Sequence, residues 1–559
     1  MKPLDWLVMF GWLAFIVGYG LYRGRGSNTV NSYLLAGRTM PWYAMGLSIM
    51  ATQASAVTFI STTGQSYTDG MRFVQLYFGL PLAMVVLCAT AVPIFHRAKV
   101  YTAYEYLEQR FDAKTRALVS GIFLLQRGLA AGFSLYAPSV VLSVILGWPD
   151  RATTVLMGVL IVAYTAFGGT KAVTWADVQQ MLLISCALVL ALFMAVHLLP
   201  ANISWANAIS LAGASGRLNA VNLHFDWDDR YNLWSGLIGG MFLALAYFGC
   251  DQSQVQRYLT GKSIAQSRLS LIFNAMAKIP MQFFILFIGA MVFVLFIFVK
   301  PPLLFQPVEL NKVRSDPRFA SVQQRYDEAF AQRKEAAEKY LAAGNSGGTT
   351  TQEESRSRLA AAQLALDDAH AAGEQLVSKD FHDTNFIFLT FVTNYLPVGV
   401  VGLIVAVIFT AAMSSTSGEI NSLAAVTVID LYQRHIRRDA SDRHYLNASR
   451  WATVFWGIFA MGFAQYVRDF GALIEAVNIV GSLFYGGLLG VFMLAFFFKK
   501  VGPNGAFFGV LAGEIVIFAA FLFTKIAFLW YNVVGCVVVI AAGVLVSRVF
   551  DNRDAVQRP

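Results

Sequence analysis

A chain of 559 residues with 57% hydrophobic and only 13% charged side chains lies far from the soluble average of roughly 25% charged, which excludes an ordinary soluble domain. Its formal net charge of +9 follows from loop placement, as shown next, and implies no nucleic-acid partner. The four cysteines, Cys88, Cys186, Cys250 and Cys536, fall in apolar stretches without CxxC spacing, so neither a disulfide framework nor a cysteine metal site is implied.

Apolar segments of about 20 residues, enough to span a bilayer, lie near 5–22, 42–60, 72–95, 117–146, 152–169, 176–199, 233–258, 268–299, 397–428, 449–467, 471–498, 503–523 and 526–549. The expectation is an all-α polytopic membrane protein with about thirteen transmembrane helices. Alternate short connections carry 22 Lys and Arg on one side against 5 (Arg151, Arg217, Arg230, Arg468 and Lys525) on the other. The positive-inside rule then puts the N-terminus outside and the C-terminus in the cytoplasm. The expected location is the plasma membrane, a bacterial inner membrane. The first segment runs into Tyr22-Arg23-Gly24-Arg25 with no small-residue cleavage site, which reads as a retained span and not as a signal peptide.

The second span contains Ala51-Thr52-Gln53-Ala54-Ser55-Ala56-Val57-Thr58, then Thr62-Thr63-Gly64-Gln65-Ser66. A polar run at mid-depth needs partners inside the protein, because lipid offers none. Unwinding there would free the carbonyls of Ala51 and Ala54 for a cation; close helix packing with satisfied hydroxyls is the alternative. Between Lys300 and Asp380 the composition turns soluble, with 11 basic and 12 acidic residues. Ala-rich stretches at 322–341 and 352–376, separated by Gly344-Asn345-Ser346-Gly347-Gly348, predict a helical hairpin outside the membrane. It would start near Ser315-Asp316-Pro317 and end near Gly373. The chain thus divides into 1–299 (transmembrane), 300–380 (charged extracytoplasmic insertion) and 381–559 (transmembrane). The insertion reads as an addition without an activity of its own more readily than as a partner-binding module.

In the ninth span, Ala411, Ser414, Ser415, Gly418, Asn421 and Ser422 share one small, hydroxyl-bearing stripe at helical spacing. Hydroxyl and carbonyl oxygens replace the hydration shell of a small cation, which suggests a sodium site. A packing face with Ser bonded back to the preceding turn explains the same stripe.

Three further stretches join these two: Tyr101-Thr102-Ala103-Tyr104-Glu105-Tyr106-Leu107-Glu108-Gln109-Arg110-Phe111; Tyr164 to Gln180, which includes Phe167-Gly168-Gly169-Thr170-Lys171 and Trp175-Ala176-Asp177; and Gly249-Cys250-Asp251-Gln252-Ser253-Gln254-Val255-Gln256-Arg257-Tyr258-Leu259. Together the five resemble the sodium/solute symporter family, most closely its iodide, multivitamin and monocarboxylate branch. The resemblance covers nearly the whole chain outside 300–380. It implies a LeuT-type core of two inverted five-helix repeats, spans two to six and seven to eleven, with extra flanking helices. It also implies sodium between the first helix of one repeat and the third of the other, at carbonyls of Ala51, Ala54 and Ala411 and hydroxyls of Ser414 and Ser415.

For the solute, the resemblance together with the polar residues around the break gives Gln53, Thr58, Phe59, Gln75, Tyr77, Asp251, Ser253 and Lys278 as pocket candidates. A Glu-Gln pair of the family's galactose carrier corresponds here to Val57 and Thr58, and a second Glu to Tyr77, which argues against a hexose. Lys278 matches a sugar-contacting lysine of the family. A charge at mid-membrane costs about 2.5 to 3.5 kcal/mol on insertion scales, so Lys278 either meets a ligand or snorkels to the cytoplasmic face. Arg127 poses the same question, and Asp251 is a candidate partner for either cation; an anionic solute could use one of them instead. Asp177 follows Thr174 by three positions, the spacing of a capping box at a helix start; in the family the matching aspartate lies on the sodium release path. Tyr104, Glu105 and Glu108 fit an amphipathic segment at the cytoplasmic interface.

The expected function is secondary active transport: sodium entry coupled to uptake of a small polar or anionic solute by alternating access. Proton coupling on the same fold, or a transporter-derived sensor, are the alternatives. No enzyme is expected, since His96, His197 and His224 are scattered near helix ends or in loops. Sodium is expected as coupling ion with no other cofactor. The partners would be the solute, sodium and the bilayer, without nucleic acid; the insertion's partner is open.

Overall fold

The computed structural model describes residues 1–24, 29–345 and 349–550. Arg25, Ser346-Gly347-Gly348 and the last nine residues lie outside them, as do the side chains of Tyr164 and Ala166–Gly169 in the family motif. Among the described residues the fold is helical, apart from one isolated bridge between Met40 and Gly261. Among the described residues, nine segments are long and apolar enough to cross a membrane.

The first helix, α1 (Pro3–Gly24), leads to a pair separated by a break, α2 (Trp42–Gln53) and α3 (Ala56–Asp69). A short helix α4 (Ala103–Arg110) precedes α5 (Ala113–Leu146) and α6 (Asp150–His197). A second broken pair follows, α7 (Gly240–Gly249) and α8 (Gln252–Leu259), then α9 (Ile264–Phe298). The insertion supplies α10 (Phe319–Asn345) and α11 (Thr349–Gln375). The chain ends with α12 (Val400–Val426), α13 (Asp442–Ala464), α14 (Leu473–Phe497), α15 (Pro503–Phe523) and α16 (Leu529–Phe550).

Both breaks fall where the sequence leaves backbone groups to be satisfied by the protein. At the first, Ala54 (φ −87°, ψ 60°) and Ser55 (φ −73°, ψ 172°) leave the helical region. The last helical bond runs from Ala54 N–H to Met50 O (2.8 Å), and the Thr58 hydroxyl donates to the freed Gln53 carbonyl (2.9 Å). At the second, Asp251 (φ −80°, ψ 118°) caps α8, accepting from Ser253 N (2.9 Å) and Ser253 Oγ (2.6 Å). The first helix of each half is therefore discontinuous, the arrangement that places ligands near the bilayer midplane.

The 48 residues of α6 would be about 72 Å long if straight, more than twice what a bilayer needs. The two spans expected at 152–169 and 176–199 both fall within this one helix. A side chain at Gly158 would meet Met461 and one at Gly457 would meet Val162; neighbouring Trp456 donates to Thr427 (2.9 Å). Further on, Thr170 meets Asn421 (3.2 Å) and Asp177 meets Ser414. The same helix thus packs against α13 in its first part and against α12 further on.

In the insertion α10 and α11 pack against each other, with Asp316 Oδ1 accepting from Arg318 N (2.8 Å) just before α10. Its two helices close over Leu303, Leu304, Val322, Tyr326, Leu366 and Phe381. Arg333, fully buried, donates to Phe296 O at the end of α9 and to Gln363 Oε1 (3.1 Å). At the hairpin base, His370 donates through Nδ1 to Leu303 O (3.0 Å) and faces Asp383 Oδ1 through Nε2 (3.1 Å), with Glu374 at 3.7 Å. Burial alone would lower the imidazole pKa, but the charges and hydrogen bonds of Asp383 and Glu374 outweigh it and raise it well above the ordinary value. A raised folded pKa gives stability that is full below the unfolded value, about 6.5, and is lost as pH rises through the folded value. Limited proteolysis of the hairpin should therefore quicken at alkaline pH in the native protein, and His370→Gln should flatten that dependence. An equal pH profile in both would remove His370 from the clamp.

The segment at Tyr104 to Glu108 is a buried tie and not an interfacial helix, which corrects the sequence reading. Tyr104 is fully buried and donates to Cys250 O (2.9 Å) at the second break. Glu108 pairs with Arg116 (2.7 Å) and Arg434, and burial together with the charge of Asp430 pushes the Glu105 carboxyl up to about 7. An amphipathic pattern records that one face is apolar; it does not say whether protein or lipid covers it.

Candidate functional site

A cavity with about 920 Å³ of atom-free space opens beside the first break. Its walls come from the α2–α3 junction (Gln53, Ser55, Thr58), the residue Tyr77, α5 (Gln126, Arg127, Ser134), α7 (Tyr247, Phe248), Glu419 of α12, and α14 (Asn478, Tyr485).

The floor of the cavity is an ion-pair cluster. Arg127 donates through one terminal nitrogen to Glu419 Oε1 (3.1 Å) and through the other to Asp251 and to Tyr485 Oη (2.7 Å). Tyr485 in turn donates to Asp251 Oδ2 (3.0 Å). This settles the partner of Asp251: it pairs with Arg127 and not with Lys278. Lys278 does not snorkel either. It is fully buried, its ammonium stands 5.3 Å from the Tyr77 ring centroid, and Nζ has no hydrogen-bond partner among the described residues.

Of the sequence-derived pocket residues, Gln53, Thr58 and Tyr77 line this cavity. Asp251 stands behind Arg127, and Ser253 is engaged in the cap on Asp251. Phe59 and Lys278 are buried outside the lining. Gln75 is committed elsewhere: its amide donates to Tyr231 O (2.7 Å) and accepts from Asn222 N (3.0 Å), holding the 222–231 loop. The sequence reading missed Glu419, Tyr247 and Tyr485. Glu419 carried a usable signal, since it is a lone carboxylate inside a membrane span, where ionisable residues are functional candidates by default.

The five atoms suggested for sodium lie on elements that meet, because α12 packs against both α2 and α3. Ser415 Oγ donates to Ala411 O (2.9 Å) and Ala412 O (3.3 Å). A serine oxygen that donates its hydrogen keeps its lone pairs, so Ser415 Oγ can still face an ion, whereas Ala411 O, inside α12, accepts the helix N–H as well as this hydroxyl. Asp177 is the element that fastens the pair. Fully buried, it accepts from Ser48 on α2 and from Ser414 on α12, and Arg257 lies 3.6 Å away. The capping-box reading of Asp177 fails here. No helix starts there, because α6 is helical on both sides, and Thr174 Oγ1 bonds back to Thr170 O (2.9 Å). The spacing of a capping box recurs within helices, where the backbone N–H is already taken.

A family model for the sodium:solute symporter family matches residues 33–307 and 358–513, leaving out α10 and the start of α11. The sodium/sialic acid symporter of Proteus mirabilis is 27% identical over 555 residues, 98% of this chain and 95% of that protein. The sodium/glucose cotransporter of Vibrio parahaemolyticus is 26% identical across 98% of this chain and 91% of its own length. The sodium-dependent multivitamin transporter of Oryctolagus cuniculus is 27% identical across 92% and 70%. Among solved structures, a Na+-coupled sialic acid symporter in a substrate-bound outward-open state superposes with a TM-score of 0.75, at 24% identity and 98% coverage of both chains, which bears out the fold expected from the motifs. The relatives are transporters and not enzymes. The paired helix breaks, the cavity beside them and the family match over most of the chain lead to one conclusion: this protein belongs to the sodium:solute symporter family.

Proposed function

We propose that the protein carries a small polar solute into the cell with sodium, binding the ion at Ala51, Ala54, Ala411, Ser414 and Ser415 and the solute in the adjoining cavity at Gln53, Thr58 and Tyr77. The observation that carries this reading is the junction at Asp177, which ties the broken helix α2–α3 to the serine stripe of α12 beside that cavity. Sodium at the stripe would hold the two halves in the state that presents the cavity; occupancy of both sites would permit the exchange to the opposite side. Asp177, in contact with Ser414, would lie on the path by which sodium leaves. The N-terminus is placed outside and the C-terminus in the cytoplasm of a bacterial inner membrane, on the charge asymmetry of the loops.

One charge moving through 100 mV supplies about 2.3 kcal/mol, and a tenfold sodium gradient adds roughly 1.4 kcal/mol. Each ion therefore sustains accumulation of several hundredfold. Proteoliposomes loaded by a sodium gradient should accumulate the solute, and equal uptake in potassium would sink the coupling. Uptake driven by a pH gradient without sodium would select proton coupling instead. Ser415→Ala is expected to raise the sodium concentration for half-maximal uptake several-fold, with unchanged protein yield; an unaltered sodium dependence would remove Ser415 from the site.

A further inference from the structure

We infer that the solute carries a positively charged nitrogen, and that the second carboxylate oxygen of Glu419 receives it. This rests on the proposed transport function and narrows its cargo. Glu419 is 6% exposed and lines the cavity. Its Oε1 is held by Arg127 (3.1 Å), while Oε2, also buried, has no hydrogen-bond partner among the described residues by geometry, with Ser134 standing beside the carboxylate. A buried carboxylate oxygen left unpaired is costly, so the site is incomplete as it stands.

The charges around it point to the missing partner. Arg127 is the one cation in the lining among the described residues, and both of its terminal nitrogens are taken, one by Glu419 and one by Asp251. Asp251 is satisfied by Arg127, Tyr485 and Ser253. One cation against two carboxylates leaves the cluster one positive charge short of neutral. Lys278, the next nearest cation, stands against the Tyr77 ring and outside the lining, so it does not meet Glu419 across the cavity. An anionic solute would face this excess charge, with both terminal nitrogens of Arg127 already engaged and only its buried Nε left without a partner among the described residues.

The rest of the wall selects an organic cation over a second metal ion. Tyr77, Tyr247, Phe248 and Tyr485 bring aromatic rings to the lining and Leu243 and Val477 apolar surface, with Lys278 over the Tyr77 ring and Arg127 over the Tyr247 ring. Aromatic faces replace the hydration of an ammonium group well; a small hard ion requires several converging oxygens instead. An ammonium beside Glu419 would complete the carboxylate and neutralise the cluster in one step.

The test uses the full-length protein in detergent and pairs of compounds differing only in the amine: alanine against lactate, glucosamine against glucose, γ-aminobutyrate against butyrate. Thermal stabilisation is titrated in sodium and in potassium. The amine-bearing member of at least one pair should bind in sodium about tenfold or more tightly than its amine-free partner, the effect of one hydrogen bond to a charged group. Glu419→Gln should erase that preference while Glu419→Asp retains part of it. Sodium-dependent binding of an amine-free member equal to or tighter than its partner overturns the inference and leaves sodium symport standing. Binding indifferent to sodium throughout overturns the symport reading instead. A panel in which no amine binds counts against the inference, and a Glu419→Gln protein that loses sodium affinity but keeps the amine preference reassigns Glu419 to the ion. If that variant does not fold, the pairs titrated on the native protein decide.

Discussion

Arg127→Leu is expected to lower thermal stability in detergent more than any other single change in the cavity, and to abolish transport. The Arg127 side chain is 4% exposed and stands between those of Asp251, which is fully buried, and Glu419, which is nearly so. Removing one member of a buried ion pair costs about 3 to 5 kcal/mol, because the opposite charge stays behind without compensation. Here two carboxylates stay behind. The measurement is the melting midpoint by fluorescence-detected size exclusion. A neutral replacement of the whole cluster, Arg127→Leu with Asp251→Asn and Glu419→Gln, is expected to recover most of the stability without transport, since exchanging a buried ion cluster for uncharged groups is often close to neutral. A single Arg127→Leu variant as stable as the native protein would show that the cluster is not held by charge pairing.

Asp177→Asn is expected to raise the sodium concentration for half-maximal uptake about tenfold or more, from the loss of one charge-assisted hydrogen bond. The aspartate accepts two serine hydroxyls from different helices at once. An asparagine offers one acceptor oxygen and an NH2 that cannot accept, so Ser48 or Ser414 loses its partner, and Arg257 loses the charge that faces it 3.6 Å away. If Ser414 turns aside, the stripe loses one of its hydroxyl oxygens. Sodium titration of uptake, alongside binding of the solute at saturating sodium, separates this from a general loss of fold. An Asp177→Asn protein whose uptake has native sodium dependence would show that Asp177 is structural only.

The hairpin explains why the family model skips residues 308–357. Its helices bury their own apolar stripe and dock through Arg333 and the His370 cluster, so the addition brings its own core and leaves the transport core intact. Its Ala-rich repeats were legible because a soluble amphipathic helix advertises its buried face in its period.

The sequence by itself determined that this chain crosses a membrane many times, where the insertion lies, which two stretches carry small polar residues at mid-depth, and to which family it belongs. These are local properties: hydropathy, helical period and motif order are all written along the chain. The position of the first break was legible for the same reason, since a run such as Ala51 to Thr58 cannot be buried in lipid as an ordinary helix face. Only the tertiary structure decided that Asp251 answers Arg127, that Glu419, 292 residues from Arg127, joins them, that Lys278 is buried and not snorkelled, and that Asp177 bridges Ser48 and Ser414 where its spacing suggested a helix cap. Charge pairing acts through space over a few ångströms and carries no trace in sequence separation, so the residues that set the chemistry of the cavity are the ones a linear reading could name only one at a time.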